Sequence, residues 1–408
     1  MEMVSPERVD PSLSAGAFPV KKDGTADRLI GDRRPWNSLE ELIGDPQLPR
    51  VTDLLHWFLP PEEVLRVHSR DLKDMYYQFR VPSQRLEKQA IGPRIPARWL
   101  DDLQDTSRDE WDAARDGRWA QRDLYRQRSS GAGSSDVAST AGLVQPVLVA
   151  IMMGDLNGVT AAQWAHQHGL QSAGLLPADL RLAGPGPALL KTEMHDIYID
   201  DYGAIAAIPA SAVKDTTGKD FDDMAEVDAF YERRGIPQST AKAVCGEVVQ
   251  AQLWGAELRC LEGTVAAPLL RRIGCACLGL LWVASGCRKK EAQSVLGCMV
   301  TSFLFRRDLF CACGQVYSYF KRLPARRKVV PPPDIADEII AAAFLQLGAV
   351  SDLRMPLLPA VAASDASLFA GGAVWAEVPW KVACKLYDFC ERRGTTAAHH
   401  PGRVRGAR

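Results

Sequence analysis

Apolar residues recur at helical spacing through the C-terminal part of the chain. The positions that follow this three-to-four-residue spacing are Leu269, Ile273, Cys277, Leu280, Leu281, Val295, Val300, Phe303 and Phe310. Such spacing places apolar side chains on one face of a helix, so residues 264–322 are predicted to be helical. Three prolines at 331–333 interrupt the pattern, and Asp334 is then placed to cap a helix over residues 335–347.

Strand-like segments predominate elsewhere. Residues 1–70 contain short segments punctuated by Pro and Gly, and residues 143–260 alternate apolar segments with turn residues, as mixed strands and helices do. Residues 361–375 have the pattern strand, turn, strand around Gly371 and Gly372. The chain has 408 residues, which is enough for two or three domains.

The most apolar run covers residues 273–287 and is flanked by arginines and lysines. This run is shorter than the roughly 20 residues that a helix needs to cross a membrane, so we expect a buried helix. Residues 1–35 mix charged residues with Gly, Pro and Ser and lack the apolar core of a secretory signal. These features predict an intracellular protein, cytoplasmic or nuclear, with no membrane partner.

The ten cysteines all lie at or after Cys245. Two pairs, Cys275 with Cys277 and Cys311 with Cys313, have one residue between them and lie in apolar, helix-like stretches. A zinc site is one interpretation of such pairs, and buried thiols in a reducing compartment are the other. Because no Cys-x-x-Cys pair faces another, we expect buried thiols.

The charge of the whole chain is nearly balanced, with 49 Lys and Arg against 50 Asp and Glu. This balance excludes a uniformly basic nucleic-acid-binding protein, but it is an average over unlike segments. Residues 193–232 contain eleven acidic and two basic residues, whereas residues 264–330 contain twelve basic and two acidic residues. The first segment is therefore predicted to attract metal ions, and the second, which includes Arg271 and Arg272, to attract phosphates.

The strongest local signal for chemistry is the segment Ile197-Tyr-Ile-Asp-Asp-Tyr-Gly203. Asp is rare in strands, yet Asp200 and Asp201 lie between strand-forming residues. A tight hairpin with the two carboxylates at its tip resolves this conflict. Two adjacent carboxylates repel each other, so a divalent cation is expected between them; a surface Asp-Asp turn is the simpler alternative.

A second segment supplies a third carboxylate. Asp71 and Asp74, in Arg70-Asp-Leu-Lys-Asp-Met-Tyr-Tyr77, are spaced so that both lie on one side of a turn that opens a helix. Together with Asp200 and Asp201, Asp71 would form a three-carboxylate site. Three carboxylates are the minimum for two Mg²⁺ ions that act on the attacking and leaving oxygens of a phosphoryl transfer.

These segments resemble the catalytic motifs of reverse transcriptases, the RNA-directed DNA polymerases of retroelements, here of the LTR or DIRS type. In that family a Tyr-x-Asp-Asp hairpin and an upstream aspartate hold the metals. The resemblance implies that Asp71, Asp200 and Asp201 are catalytic residues that bind two Mg²⁺ ions, with Mn²⁺ as an alternative. It covers about residues 19–260, where six segments occur in the family's order.

The resemblance also implies contacts to the incoming deoxynucleoside triphosphate. The segment that contains Lys22 and Arg28 resembles the fingers of these enzymes, where a Lys and an Arg meet the triphosphate. Cations there neutralise developing phosphate charge. Asp74 and Met75 would lie against the triphosphate, and Tyr76 matches the aromatic gate that excludes a ribose 2′-hydroxyl.

Three further segments complete the resemblance. Gly154, in Met152-Met-Gly154, matches a loop glycine that lets the backbone approach template and nucleotide, although the family commonly has Pro-Phe-Gly or Pro-Gln-Gly here. Lys242 matches a lysine near the pyrophosphate leaving group and is a candidate general acid. The segment with Leu253, Trp254 and Gly255 resembles the hairpin that grips the primer end.

The implied architecture is an α+β right-hand polymerase fold, with an antiparallel palm sheet backed by helices. Residues 363–375, which include Asp365, resemble the first two strands of a ribonuclease-H-like domain. Only 43 residues follow Asp365, so we expect no ribonuclease H activity from this module. The predicted organisation is a disordered N-terminus at 1–14, fingers and palm at 15–262 with an inserted charged arm at about 101–140, a helical thumb at 263–325, a linker and helix at 326–350, a partial ribonuclease-H-like module at 351–390 and a disordered tail at 391–408.

The expected function is RNA-directed DNA synthesis for a retrotransposon-like element, with an RNA or DNA template, a primer and deoxynucleoside triphosphates as partners. Two alternatives stay open. One is a truncated, catalytically inactive relic that binds nucleic acid, and the other is an RNA-templated RNA polymerase. Tyr76 and the Tyr-Ile-Asp-Asp segment favour DNA synthesis over the last of these. Neither the template preference nor the oligomeric state follows from the sequence.

Overall fold

The computed structural model describes residues 2–4, 8–21, 27–97, 142–182, 191–366 and 371–388. The chain forms two compact units. The first unit comprises residues 1–46 and 74–164, and the second unit comprises residues 47–73 and 165–408. The predicted arm at 101–140 and the tail at 391–408 lie outside the described residues.

The first unit combines two small antiparallel sheets with short helices. Its strands are β1 (Glu2–Val4), β2 (Gly16–Lys21), β3 (Asp27–Asp32), β5 (Ile95–Pro96) and β6 (Leu143–Val147), and its short helices are α1 (Arg34–Asn37) and α2 (Met75–Gln78). Strands β2 and β3 form a hairpin, and β6 lies between β1 and β5. Strand β1 pairs with β6 along its length, from Glu2 opposite Val147 to Val4 opposite Gln145.

A buried network of charged side chains stabilises the first unit. The Arg33 side chain is fully buried and lies 3.1 Å from Asp155 and 3.5 Å from Glu40. Arg85 reaches the same two carboxylates. Buried charges persist only when they are paired, so this network fixes the loop after β6 against α1 and its neighbours. Helix α3 (Gly158–Ser172) begins in this unit and continues into the second after Trp164.

The second unit is organised around a four-stranded antiparallel sheet. Its strands are β4 (Glu63–Asp71), β7 (Glu193–Tyr198), β8 (Asp201–Pro209) and β9 (Val244–Glu247), in the order β7-β8-β4-β9. Helix α4 (Lys219–Arg233) buries Met224, Val227, Phe230 and Tyr231. The long β4–β8 pairing runs from Glu63 opposite Pro209 to Asp71 opposite Asp201, so it fixes which residues meet at the end of the sheet.

A second antiparallel sheet shares the core of this unit. Its strands are β10 (Gln250–Leu253), β11 (Ala256–Arg259), β12 (Thr264–Ala266) and β13 (Val350–Asp352), in sequence order. Apolar residues of both sheets, including Leu65, Val67, Ile205, Leu258 and Val265, form one buried cluster. Strands β12 and β13 pair with each other although more than 80 residues separate them in the chain.

Four helices lie between β12 and β13 in the chain and confirm the helical prediction from Leu269 onward, whereas residues 264–266 form β12. They are α5 (Leu269–Ser285), α6 (Lys289–Phe303), α7 (Val316–Arg322) and α8 (Pro333–Leu345). Their core contains Trp282, Met299, Phe303 and Ile339. Asp334 lies in the first turn of α8 rather than at its cap, because proline at 332 precedes the helix.

The apolar run at 273–287 is helical but only partly buried, which corrects the prediction of a buried helix. Arg272, Cys275, Gly279 and Trp282 form the buried face of α5, whereas Leu281 on another face is 57% exposed. Arg272 itself is buried and donates from Nε to the Ala267 carbonyl, so it does not belong to the exposed basic surface that the sequence predicted. Among the described residues, we find no helix with the length and apolar character to cross a membrane.

The predicted strand, turn and strand at 361–375 are present as an antiparallel hairpin, β14 (Ala360–Ala366) with β15 (Gly371–Glu377), followed by α9 (Trp380–Asp388). The described cysteines are free thiols. Cys275 and Cys313 are buried, and burial raises the pKa of each to about 11. Cys277 and Cys311 are exposed, so only half of each Cys-x-Cys pair fits the prediction of buried thiols.

Candidate functional site

The Asp-Asp pair lies at the tip of the β7–β8 hairpin, as its sequence predicts. Tyr198 and Asp201 are the last paired residues, so Ile199 and Asp200 form a two-residue turn. Ile199 has a φ of 58°, a left-handed backbone that a β-branched residue rarely adopts. Strain of this kind persists where the surrounding structure holds it, and it is frequent at functional sites.

Asp71 lies directly opposite Asp201 in the register of β4 and β8. Residues that oppose each other in an antiparallel pair point to the same face of the sheet, so the two carboxylates are neighbours. The Leu72 amide donates a 2.9 Å hydrogen bond to the Asp200 carbonyl and closes the end of the sheet. Strand pairing therefore brings Asp71, Asp200 and Asp201 to one edge.

The neighbouring carboxylates raise the affinity of Asp201 for protons. Burial, followed by the negative charges of Asp200 and Asp71, raises the pKa of Asp201 to about 7. The Asp71 side chain is only 11% exposed. Carboxylate oxygens in such a position are the donors that Mg²⁺ and Mn²⁺ prefer, and a divalent cation would relieve the repulsion. Asp200 lies beside Asp201 on the turn.

Lys242 belongs to the same site. Its Nζ lies 2.7 Å from Asp71 Oδ2, and this hydrogen bond raises the pKa of Lys242. The loop that carries Lys242 is attached to the end of β4, since the Ser239 amide donates to the Asp71 carbonyl at 2.8 Å and the Lys73 amide donates to the Pro237 carbonyl at 2.9 Å. The lysine therefore contacts a proposed metal ligand directly.

The hairpin that the sequence marked as a primer grip packs against the Asp-Asp hairpin. Trp254 and Gly255 connect β10 to β11, with φ values of 47° and 86°, the left-handed backbone of a tight two-residue hairpin turn. A Cβ placed on Gly203 would lie 2.7 Å from a side-chain atom of Leu253 and 2.8 Å from one of Trp254. The Trp254 indole N–H also donates to the Asp201 carbonyl at 3.5 Å.

His166 is hydrogen-bonded to the backbone of the strained turn, a role that the sequence did not suggest. Its Nδ1 donates to the Ile199 carbonyl at 2.8 Å, and its Nε2 accepts from the Tyr231 hydroxyl at 2.7 Å. Burial lowers the pKa of His166 to about 4, so the ring is neutral at neutral pH. The only sequence signal for this role is a histidine on the inner face of a helix, which is not specific.

Alternate residues of β4 place basic side chains against α4, and this feature was also missed. Arg70 makes a bidentate pair with Asp228, both distances being 2.7 Å. His68 Nε2 lies 2.8 Å from Asp220. Since these carboxylates are paired within the protein, the acidic segment 193–232 is not simply a metal-attracting surface, and this corrects the interpretation of its net charge.

The residues proposed to contact the nucleotide lie in the first unit. Arg28 is exposed on β3 opposite Val20. Asp74 precedes α2 with a left-handed backbone of φ 54°, Met75 is buried and Tyr76 is half-buried. Lys22 lies outside the described residues.

Gly154, also in the first unit, is required by a close approach of two backbone segments. Its φ is 108°, and a Cβ at this position would collide with the Gly31 carbonyl oxygen. The Gly31 amide donates to the Met153 carbonyl at 2.9 Å, and the Asn37 side chain donates to the Gly154 carbonyl at 2.9 Å. Among the described residues, Gly154 therefore lets its own backbone come close to strand β3.

No protein-family model and no curated protein matches the chain. Solved structures do. The foamy viral protease-reverse transcriptase dRH in complex with double-stranded DNA is similar with a TM-score of 0.53 and 13% identity, over 89% of this chain and 49% of that chain. The same viral protein in complex with an RNA/DNA hybrid gives 0.52 and 13%, over 89% and 38%. A further complex with double-stranded DNA gives 0.53 and 13%, over 89% and 58%.

This chain therefore spans between about two fifths and three fifths of the length of the structures it resembles. At 13% identity, the similarity concerns the fold. It agrees with the α+β class and the antiparallel sheets described above.

Proposed function

We propose that the protein is an RNA-directed DNA polymerase of a retrotransposon-like element, which transfers nucleotides onto a primer 3′-hydroxyl. The observation that carries the proposal is the placement of Asp71 opposite Asp201, beside Asp200 on a strained turn, with Lys242 at 2.7 Å from Asp71. The similarity in fold to reverse transcriptases is consistent with this chemistry. The right-hand arrangement of fingers, palm and thumb is part of the proposal.

In this proposal Asp71, Asp200 and Asp201 hold two divalent ions, Mg²⁺ or Mn²⁺. When bound, such ions polarise the attacking hydroxyl and neutralise the charge on the phosphate oxygens. Asp71 and Asp201 supply oxygens from the two paired strands, and the Asp200 side chain joins them from the turn. The raised pKa of Asp201 supports the assignment, because the site without a cation concentrates negative charge.

Lys242 is proposed to protonate the pyrophosphate leaving group. Its side chain is 61% exposed and tethered only at its ammonium group, so it is able to leave Asp71 when a cation takes that oxygen. A released ammonium beside the triphosphate is both a positive charge and a proton donor. The ion pair with Asp71 thus keeps the lysine at the site before the nucleotide binds.

Nucleotide selection is proposed for residues of the first unit. Lys22 and Arg28 would contact the triphosphate, with Asp74 and Met75 beside it and Gly154 near template and nucleotide. Tyr76 would exclude the ribose 2′-hydroxyl. Tyr76→Ala is expected to admit ribonucleotides at rates that approach those for deoxynucleotides, while Tyr77→Ala, at the exposed neighbouring position, is the matched control.

Template and primer are proposed to contact the second unit. Leu253, Trp254 and Gly255 would grip the primer end. The described helical region also exposes many cations, namely Arg271, Arg288, Lys290, Arg306, Arg307, Lys321, Arg322, Arg326, Arg327 and Lys328. Exposed cations at this density would track a phosphate backbone, with strong salt dependence. Double-stranded DNA or an RNA/DNA hybrid is present in the three similar structures, which supports nucleic acid as the partner.

Primer extension tests the proposal. The full chain is incubated with a primed RNA or DNA template, deoxynucleoside triphosphates and Mg²⁺ or Mn²⁺. Extension is expected on RNA, and Asp200→Asn should abolish it because the metal site loses a charge. Asp222→Asn, at an exposed position of α4, is the control and should extend normally.

Two outcomes would reject the assignment. Extension that survives Asp200→Asn would show that these carboxylates are not catalytic. Salt-sensitive template binding without any incorporation by the unaltered chain would instead favour the catalytically inactive nucleic-acid-binding relic.

A further inference from the structure

The structure assigns a second metal site to Glu193, His195 and Asp223, for a divalent transition-metal ion of the Zn²⁺ class. One ligand atom from each of these three residues lies within 4.8 Å of the other two. Glu193 and His195 are two residues apart on β7, so both point to the same face of the sheet. Asp223 reaches this face from α4. The group therefore joins the strand that carries the Asp-Asp turn to the helix packed behind it.

This site is separate from the catalytic carboxylates. His195 is paired with Ala204, and Glu193 with Ala206, whereas Asp201 is paired with Tyr198. Because side chains alternate between the two faces of a strand, Ala204 and Ala206 belong to the face opposite that of Asp201. An ion at Glu193 and His195 would therefore lie on the other side of the sheet from Asp71 and Asp201.

The imidazole is oriented as a ligand. The His195 side chain is 6% exposed, and its Nδ1 lies 2.6 Å from the hydroxyl of Tyr202. Its Nε2 lies 4.0 Å from Glu193 Oε2, beyond hydrogen-bond distance but on the side of the two carboxylates. Histidine ligands of metals are typically held in this way, with the second nitrogen bonded to another group that fixes the ring and its tautomer. Here Nδ1–H would donate to Tyr202, which leaves the Nε2 lone pair for the ion.

A cation already lies between the two carboxylates. Lys219 Nζ is 2.6 Å from both Glu193 Oε1 and Asp223 Oδ2. The Lys219 side chain is 68% exposed, so its ammonium can move into solvent when a divalent ion replaces it. The simpler alternative is that the lysine pairs are the whole purpose of the cluster. In that alternative the contact of His195 Nε2 with Glu193 at 4.0 Å is one more ion pair, whereas in the metal site the same nitrogen is a ligand.

The donor set decides the class of ion. One imidazole and two carboxylates suit Zn²⁺ and related transition metals, while Mg²⁺ prefers oxygen ligands alone. Asp223 is 29% exposed, so solvent reaches this group of side chains. An ion here would cross-link β7 to α4 and stabilise the folded protein, because ligands that bind only the native state raise its stability.

Zinc titration of the full chain tests this site. Exposed thiols are first alkylated with iodoacetamide, and excess Mg²⁺ is present so that the all-carboxylate site does not take the probe. Calorimetry is expected to give one Zn²⁺ per chain, with a rise in the thermal midpoint. Asp223→Asn and His195→Gln should each weaken binding at least about tenfold, the loss usual when part of a metal site is removed. Asp222→Asn, one residue away and exposed, is the matched control.

Lys219→Met separates the metal site from a simple ion-pair cluster. Removing the competing ammonium should tighten Zn²⁺ binding about tenfold, since two carboxylates then lack their cation. This variant leaves all three ligands in place, so it still tests the metal site if His195→Gln fails to fold. Absence of Zn²⁺ binding in both the unaltered chain and Lys219→Met, or equal binding by the unaltered chain and Asp223→Asn, would overturn the assignment. Neither result depends on polymerase activity.

Discussion

His166 Nδ1 donates a 2.8 Å hydrogen bond to the backbone carbonyl of Ile199, the residue that precedes the Asp-Asp pair. Because a carbonyl oxygen only accepts, the proton must be on Nδ1, and Nε2 accepts from Tyr231. One neutral imidazole thus joins the strained turn to helix α4. Because the folded protein keeps His166 neutral, the stability of the protein should depend on pH.

Protonation of His166 should destabilise the protein in mild acid. The ordinary pKa of a histidine is about 6.5, and burial lowers that of His166 to about 4. Between these values the unfolded chain binds a proton that the folded chain does not, so stability falls as pH falls from about 6.5 to about 4. The expected contribution between pH 7 and pH 5 is about 2 kcal/mol.

Urea unfolding at pH 7 and pH 5 measures this contribution. His166→Asn keeps a donor for the Ile199 carbonyl but does not titrate, so its stability should vary less with pH, by about 2 kcal/mol. His168→Asn, on the exposed side of the same helix, is the control and should keep the full variation. An identical pH dependence in His166→Asn and the unaltered chain would contradict the prediction.

Gly203→Val should displace the primer-grip hairpin. The new side chain would overlap Leu253 and Trp254, and Leu253 is a buried member of the core. Overpacking of this kind costs about 1–3 kcal/mol. We expect a lower urea midpoint and reduced primer extension, since Trp254 also contacts the Asp201 carbonyl.

Gly274→Ala is the matched control for Gly203→Val. Gly274 lies within α5, and nothing lies within 4 Å of a Cβ placed there. Alanine in a helix is about 1 kcal/mol more favourable than glycine, so this substitution should stabilise the protein. Equal effects of the two substitutions would show that the contact with Trp254 is not tight.

Asp228→Asn should destabilise the sheet through Arg70. The Arg70 side chain is 9% exposed and forms a bidentate pair with Asp228, which is itself 38% exposed. Loss of the carboxylate leaves a nearly buried guanidinium without its charge partner, at a cost of about 2 kcal/mol after allowance for the exposure of Asp228. Urea unfolding measures the change.

A double substitution identifies the cause of this loss. Arg70→Met with Asp228→Leu removes both charges, so it should recover much of the stability that Asp228→Asn loses. Asp222→Asn on the exposed face of α4 should change stability by less than about 0.5 kcal/mol. If the double variant is less stable than Asp228→Asn, the unpaired charge is not the reason.

Lys242→Gln should affect metal binding and turnover in opposite directions. Its ammonium competes with a divalent ion for Asp71 Oδ2, so without it the activating Mg²⁺ concentration should fall. The maximal extension rate should also fall, by about 10²–10⁴-fold, because a general acid is lost. Mg²⁺ dependence and single-turnover extension measure the two effects.

Lys214→Gln, at an exposed position outside the site, is the control for Lys242→Gln and should change neither quantity. If Lys242→Gln has a normal maximal rate and stronger Mg²⁺ activation, then Lys242 pairs with Asp71 but is not the general acid.

Local pattern was sufficient to predict the hairpin that presents Asp200 and Asp201 and the helices after residue 264. The strand-forming residues around Asp200 and Asp201 predicted a hairpin with both carboxylates at its tip, and the structure has that hairpin. The apolar spacing after residue 264 predicted helices, and α5 and α6 are present. These predictions hold because side-chain periodicity and turn propensity act over a few residues.

Tertiary structure decided which residues meet. Arg70 and Asp228 are 158 positions apart, and His166 and Ile199 are 33 apart, so no local pattern indicates either contact. The same is true of Lys242 at Asp71, which depends on the loop at 237–242 being bonded to the end of β4. The net charge of residues 193–232 misled the sequence interpretation, because pairing within the fold decides which carboxylates remain for a metal.

The sequence by itself therefore determined the local elements: the hairpin that presents Asp200 and Asp201, the helical region and the strand pair near the C-terminal end. Only the tertiary structure decided that Asp71 opposes Asp201, that Glu193 and His195 meet Asp223 on the other face of the sheet, and that α5 is buried on one face only. The reason is physical. Local backbone preferences act between neighbours in the chain, whereas strand register and burial depend on the whole of the packed core.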